Sequence, residues 1–178
     1  RQQGKIRFFG FTAIGATPAL RQVIDAHSMD TAQVVYNVLN PSAGNTVPEG
    51  YPGQDYGELL RHARATDMGV INIGVLAGGA LTGTEVRHPL GMPSVAPIGC
   101  GSNYAADVRR AQALTRSCRK DTRIALWSWL YVFAISHPSI GTGSGWLLYT
   151  GTAGTRRRRH QQRTASAHSS ATPYETAK

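Results

Sequence analysis

Apolar residues gather into short runs over the first two thirds of the chain, and polar, glycine-rich text separates them. KIRFFGFTA, over residues 5–13, is short, aromatic and aliphatic, the pattern of a strand buried on both faces rather than of one with a wet side. A helix is predicted next. Thr17 and Pro18 supply an N-cap and a first-turn proline, and Leu20, Val23 and Ile24 recur at helical spacing as far as His27. AQVVYNV, over 32–38, is a β-branched run that reads as a second strand, closed by Asn40-Pro41 and a long loop rich in Gly and Pro. Residues 56–68 carry Leu59, Leu60 and Ala63 on one helical face, and Gly69 then opens a third, wholly apolar strand, VINIGVLA. Beyond the Gly- and Pro-rich loop of 78–101, residues 104–115 read as another helix, with Ser102 or Asn103 as its cap. Strand, helix, strand, helix, strand is the order of a parallel sheet with crossover helices, so the fold class is α/β.

The pattern fails from about Arg116. Trp127 and Trp129 stand two apart beside Tyr131, and after Gly141 no segment holds a period. Charge divides at the same place. Residues 1–115 hold 9 basic and 8 acidic side chains, a net +1, whereas residues 116–178 hold 10 and 2, a net +8, so nearly all of the +9 belongs to the last third. Arg156, Arg157, Arg158 and Arg159 form an unbroken run there, which would attract any polyanion in a salt-sensitive, sequence-indifferent way. A basic polar tail of this kind is expected to be disordered or non-native.

Other features limit the class of protein. A chain of 178 residues can build one domain with a real core. Cys100 and Cys118 lack metal-type spacing, so free thiols and a cytoplasmic location are expected. The longest aromatic and apolar run, 127–135, is far short of the ~20 residues of a membrane span, and no signal peptide is visible. The opening on Arg1 rather than Met leads us to expect that the start of a longer protein precedes it. His27, His62, His88 and His137 do not stand at metal spacing from another His, Cys or Glu, and surface or cap roles are expected for them. His160 and His168 lie in the basic tail. GTGSG at 141–145 imitates a dinucleotide turn without the strand, turn and helix that such a turn needs.

Four islands of sequence carry a family resemblance: GKIRFFGFTA at 4–13, DTAQVVYNVLNP at 30–41, GVINIGVLAGGALTG at 69–83 and FAISHPS at 133–139. In their order and spacing they resemble the C-terminal half of an aldo/keto reductase of the bacterial aldose and aryl-alcohol dehydrogenase type. The resemblance covers residues 4–115 well and then breaks off. Two windows of the remainder regain it when codon junctions are read in a shifted frame. The last two bases of each codon, joined to the first of the next from Gly143 onward, permit VLVGYSTLEQLERAAAAINKGPL, in which the arginine run becomes helical alanines. The opposite shift over 117–132 permits LQEGYADSLVELALRF, a capped amphipathic helix running directly into the in-frame AISHPS. Residues 117–132 and 143–178 are therefore expected to be frameshifted translations.

The resemblance implies a partial (β/α)8 TIM barrel, about three strands with their helices, over residues 1–115. A partly frameshifted helical region, 116–142, and a basic tail, 143–178, would follow. It implies an oxidoreductase that interconverts carbonyls, or sugars, and alcohols with NADP(H) or NAD(H). Chemistry in such barrels sits at the C-terminal ends of the strands. Thr12 and Ala13 stand where the family has a Ser-Asn pair that holds the nicotinamide carboxamide, and Ala13 lacks the amide. Gln33 matches a glutamine that bonds the same group, Ile73 stands where many members stack a tyrosine under the ring, and Gly74, Val75 and Leu76 would begin the loop along the pyrophosphate. The family's Asp, Tyr, Lys and His tetrad belongs to the half before Gly4, so this chain holds no catalytic residue and is expected to be inactive alone. The alternative is an α/β scaffold bearing an arginine-rich nucleic-acid-binding tail.

Overall fold

The computed structural model describes residues 1–87, 91–99, 102–117 and 123–144. The apolar runs identified above become the strands of one parallel sheet: β1 (Gly10–Thr12), β2 (Thr31–Val35) and β3 (Gly69–Ile73), with α1 (Thr17–Asp25) and α2 (Leu59–Ala65) as the crossovers between them. A 3-10 segment, Ala77–Thr82, and two helices, α3 (Tyr104–Ser117) and α4 (Arg123–Ser136), lead to a two-residue strand, β4 (Thr142–Gly143). The strands lie side by side in chain order, β1-β2-β3-β4, every neighbouring pair parallel.

Alternation along each strand divides the sheet into two unlike faces. Ala32, Val34 and Val70 turn to one side and form a core with Leu20 and Ile24 of α1 and Leu59, Leu60 and Ala63 of α2. Ile24, Leu59 and Leu60 are fully buried, each removing apolar surface worth about 2 kcal/mol. The other face shows Thr12, Thr31, Gln33, Ile71 and Ile73, all exposed or half-buried. At its top Val35 is closed off beside Gly74 and Ile98. A second cluster forms where α3 and α4 meet the 3-10 segment, with Ala77, Ala80 and Leu81 against Val108, Ala111 and Leu130.

Several local expectations change. The first strand is not residues 5–13 but Gly10–Thr12: β1 is paired only to β2, whose ladder begins at Thr31, and among the described residues 5–9 keep only the Phe9 bonds to Asp30. Ile6 and Phe8 are consequently 51% and 67% exposed. Thr17 is not the cap of α1. Ala16 takes that position, and the Thr17 hydroxyl donates instead to the Asp55 carbonyl at 2.7 Å, tying the helix start to the loop before α2. Asn103 does cap α3, its Oδ1 accepting the Ala106 N–H at 2.8 Å. About three strands were expected, and the described residues form four. Residues 123–136, where amphipathic order fails, form a helix nonetheless, and α4 leaves Trp129, Val132 and Ile135 exposed. Residues 145–178, with the arginine run, and His88, Cys100 and Cys118 lie outside the described residues.

Candidate functional site

The parallel order gathers all strand C-terminal ends on one edge of the sheet, and the sites expected from sequence lie at or near it. Thr12 and Gln33 are direct neighbours in the β1–β2 register, and the Thr12 hydroxyl donates to Gln33 Oε1 at 3.0 Å. That contact fixes the amide with its Nε2 hydrogens pointing away from Thr12. Gln33 Nε2 has no protein partner among the described residues. Ile71 faces Gln33 across β2–β3, and Ile73, paired with Val35, continues the same face upward.

Ala13 is brought to the site by its backbone alone. Its N–H donates to the Gln33 carbonyl at 2.8 Å, while its methyl group is wholly buried among the helix-side core residues. Gly74 leaves β3 with φ +66°, in the left-handed region that favours glycine, and its carbonyl accepts from Asn37 Nδ2 at 2.9 Å. Val75 is 2% exposed, and Leu76 is half-buried with its carbonyl accepting the Gly79 and Leu81 N–H groups. The open face of the four strands carries no ionisable side chain. It can bind and orient a ligand, but it cannot by itself move a proton.

Sequence reasoning missed the polar groups that shape this end. Asn37 is fully buried, and its Oδ1 accepts the N–H groups of Leu39 and Asn40, both at 2.9 Å. Asn40 spans the loop, donating to the carbonyls of Gln54 and Ile98 at 3.1 Å and accepting the Ser42 hydroxyl at 2.6 Å. Ser42 donates to Gln54 and accepts the Tyr56 N–H. Asp107 of α3 is fully buried too, its Oδ2 accepting the N–H groups of Ile98 and Gly99 at 2.9 and 2.8 Å. Asn72, in the middle of β3, accepts the Tyr36 N–H at 3.1 Å and donates to the carbonyls of Tyr36 and Ala134. The available signal was a polar letter inside an apolar run, as in YNVLNPS and VINI.

Three histidines, His27, His62 and His137, are among the described residues. His27 follows the Ala26 cap of α1 with φ +50°, and His62 Nε2 lies 2.8 Å from Asp25 Oδ1. His137 packs edge-on against Tyr36, and burial holds its imidazole below the usual histidine value, helped by the Arg64 charge and opposed by a backbone hydrogen bond at Gly44. Burial pushes the Tyr56 phenol up. Asp30, which accepts the Phe9 N–H at 3.0 Å and pairs with Arg1, is held below the usual carboxylate range by those two contacts. It lines a shallow recess of about 480 Å3 with Phe8, Met29 and Met68 at the opposite edge of the sheet, away from Thr12 and Gln33. Among the described residues no group of His, Cys, Asp and Glu could hold a metal ion, and no helix is long and apolar enough to cross a membrane. Comparison with protein-family models, with curated proteins and with solved structures gives no match.

Proposed function

We propose that this chain is a sector of an aldo/keto reductase barrel, able to hold the nicotinamide end of a dinucleotide but not to catalyse its reaction alone. The observation that carries this reading is a parallel sheet in unbroken chain order, with α1 and α2 packed on one face and an amide side chain on the other. Right-handed crossovers between successive neighbours put every helix on the same side, which is the arrangement that closes into a (β/α)8 barrel. A doubly wound sheet reverses its strand order and covers both faces. The uncovered face with Thr12, Gln33, Ile71 and Ile73 would then be the barrel interior.

The residues fit the amide end of such a cofactor. Gln33 presents unused N–H donors to a carboxamide oxygen, Thr12 orients it, and Ile73 offers an apolar surface to a ring. Ala13 contributes only backbone, and Gly74, Val75 and Leu76 supply a tight turn. A nicotinamide dinucleotide, when bound, would supply or accept the hydride. The described chain binds and orients; the acid that protonates a carbonyl would come from the half that precedes these strands.

The exposed Trp129 and Val132 on α4 support the frameshift assignment, since the shifted frame permits an amphipathic helix over 117–132; Ile135, also exposed, lies in the in-frame part of α4 and bears on neither frame. Resequencing the locus tests that directly. The binding reading is tested by fluorescence titration with NADPH and with NADH on the full chain. Saturable binding lost in Gln33→Leu is expected. Absence of saturable binding by a chain whose β2 and β3 amides are protected from exchange overturns it.

The concentration of charge beyond residue 115 favours a second, weaker reading, that of a nucleic-acid-binding tail. Salt-sensitive RNA binding abolished by deleting Arg156, Arg157, Arg158 and Arg159, with no dinucleotide binding, would favour it instead.

A further inference from the structure

We infer that His137 is a proton-sensitive latch joining the turn that leads into β4 to the loop that leaves β2. The imidazole stands edge-on to Tyr36, ring centroids 5.7 Å apart and planes at 66°. Its Nδ1 accepts the Ser139 N–H at 3.2 Å, which requires a lone pair on that nitrogen and so the neutral tautomer protonated at Nε2. The opposite edge of the ring faces Gly44. A Cβ placed there would lie 2.8 Å from His137 Cδ2 and 3.1 Å from Nε2, so the ring packs directly against the Gly44 backbone.

One ring thus touches two segments distant in sequence. On one side, the Ile140 N–H donates to the His137 carbonyl and the Gly141 N–H to Val70 of β3, setting the register of β4. On the other, the Gly44 and Asn45 N–H groups both return to the Pro41 carbonyl, closing the turn at the base of the long loop. Tyr36 reinforces the junction, stacking on Phe133 of α4 at 5.1 Å and accepting a hydrogen bond from Asn45 Nδ2 at 3.1 Å.

Taking one proton from solvent would convert Nδ1 from acceptor to donor and set its new N–H against that of Ser139. The Ser139 bond is then lost, and a charge appears in a partly buried place. Among the described residues the phenol of Tyr36, at the end of β2, stands edge-on to the ring, and the charge of Arg64 on α2 opposes its protonation. Desolvation, the largest cause, acts in the same direction as Arg64. With the folded-state value below 6.5, the neutral ring is the form the fold prefers. The tie is complete above pH 6.5 and is lost as pH falls through the lowered value. This device is independent of what occupies the open face of the sheet.

Amide hydrogen exchange on the full chain at pH 7.5 and pH 5, corrected for intrinsic rates, tests it. Protection of residues 139–143 and 43–45 should fall at the lower pH while that of β2 holds, and in His137→Gln the difference between the two pH values should vanish. An equal pH response in His137→Gln, or none in the native chain, overturns the latch. Should His137→Gln fail to fold, an NMR titration of the native chain decides. The His137 midpoint should fall below 6.5, with the Ser139 amide shift following the same midpoint. A midpoint at or above that value, or a Ser139 amide that does not follow, overturns it.

Discussion

Asn72 serves three backbone groups: the N–H and carbonyl of Tyr36, and the Ala134 carbonyl near the end of α4. Its side chain is wholly buried, so removing it leaves those groups without water as a substitute. Asn72→Ala should lower unfolding stability by about 3 kcal/mol, seen as a reduced urea midpoint at unchanged slope. A loss below about 1 kcal/mol would mean that solvent reaches the site. The asparagines and Ser42 were visible in the sequence only as misplaced polar letters. Their meaning depends on partners such as Gln54 and Ile98, which are 14 and 58 residues from Asn40. Thr12 and Gln33 were singled out by the family resemblance, and the register between consecutive parallel strands sets them side by side.

At the scale of elements, β1 depends on a glycine. Gly10 lies opposite Thr31, and a Cβ built on it would stand 2.1 Å from Thr31 Oγ1 and 2.3 Å from the Thr31 carbonyl oxygen. The obstacle is partly backbone, so it cannot be relieved by turning a side chain alone. Gly10→Ala should cost about 2 kcal/mol and release β1 from β2, read as faster exchange of the Ala13 amide, with β3 unaffected. The central elements were legible because each has a strong local cause. β3 begins at Gly69 as its apolar run predicts, and Asn103 caps α3. Edges were not legible: β1 is shorter than its apolar run because only β2 flanks it, and β4 is two residues whose pairing is set by β3. Thr17 had the chemistry of a cap but spends its hydroxyl on Asp55.

For the whole molecule, the balance is between an uncovered sheet face and a net charge of +9. The open face and the exposed Ile6, Phe8 and Ile14 offer apolar surface and strand edges to other copies. Like charge keeps copies apart only where salt does not screen it. Light scattering should therefore show association that grows with protein concentration and with ionic strength, and Ile14→Lys should reduce it. A monomer at every concentration and salt level would show that the face is covered in solution. The connection between β2 and α2 has a different character. Its base is pinned by Asn37, Asn40 and Ser42, yet Pro48, Glu49 and Gly50 at its tip are exposed. A fluorescent reporter or affinity tag spliced between Glu49 and Gly50 would ride on a fixed pedestal, displaying its cargo outside while the sheet beneath keeps its shape.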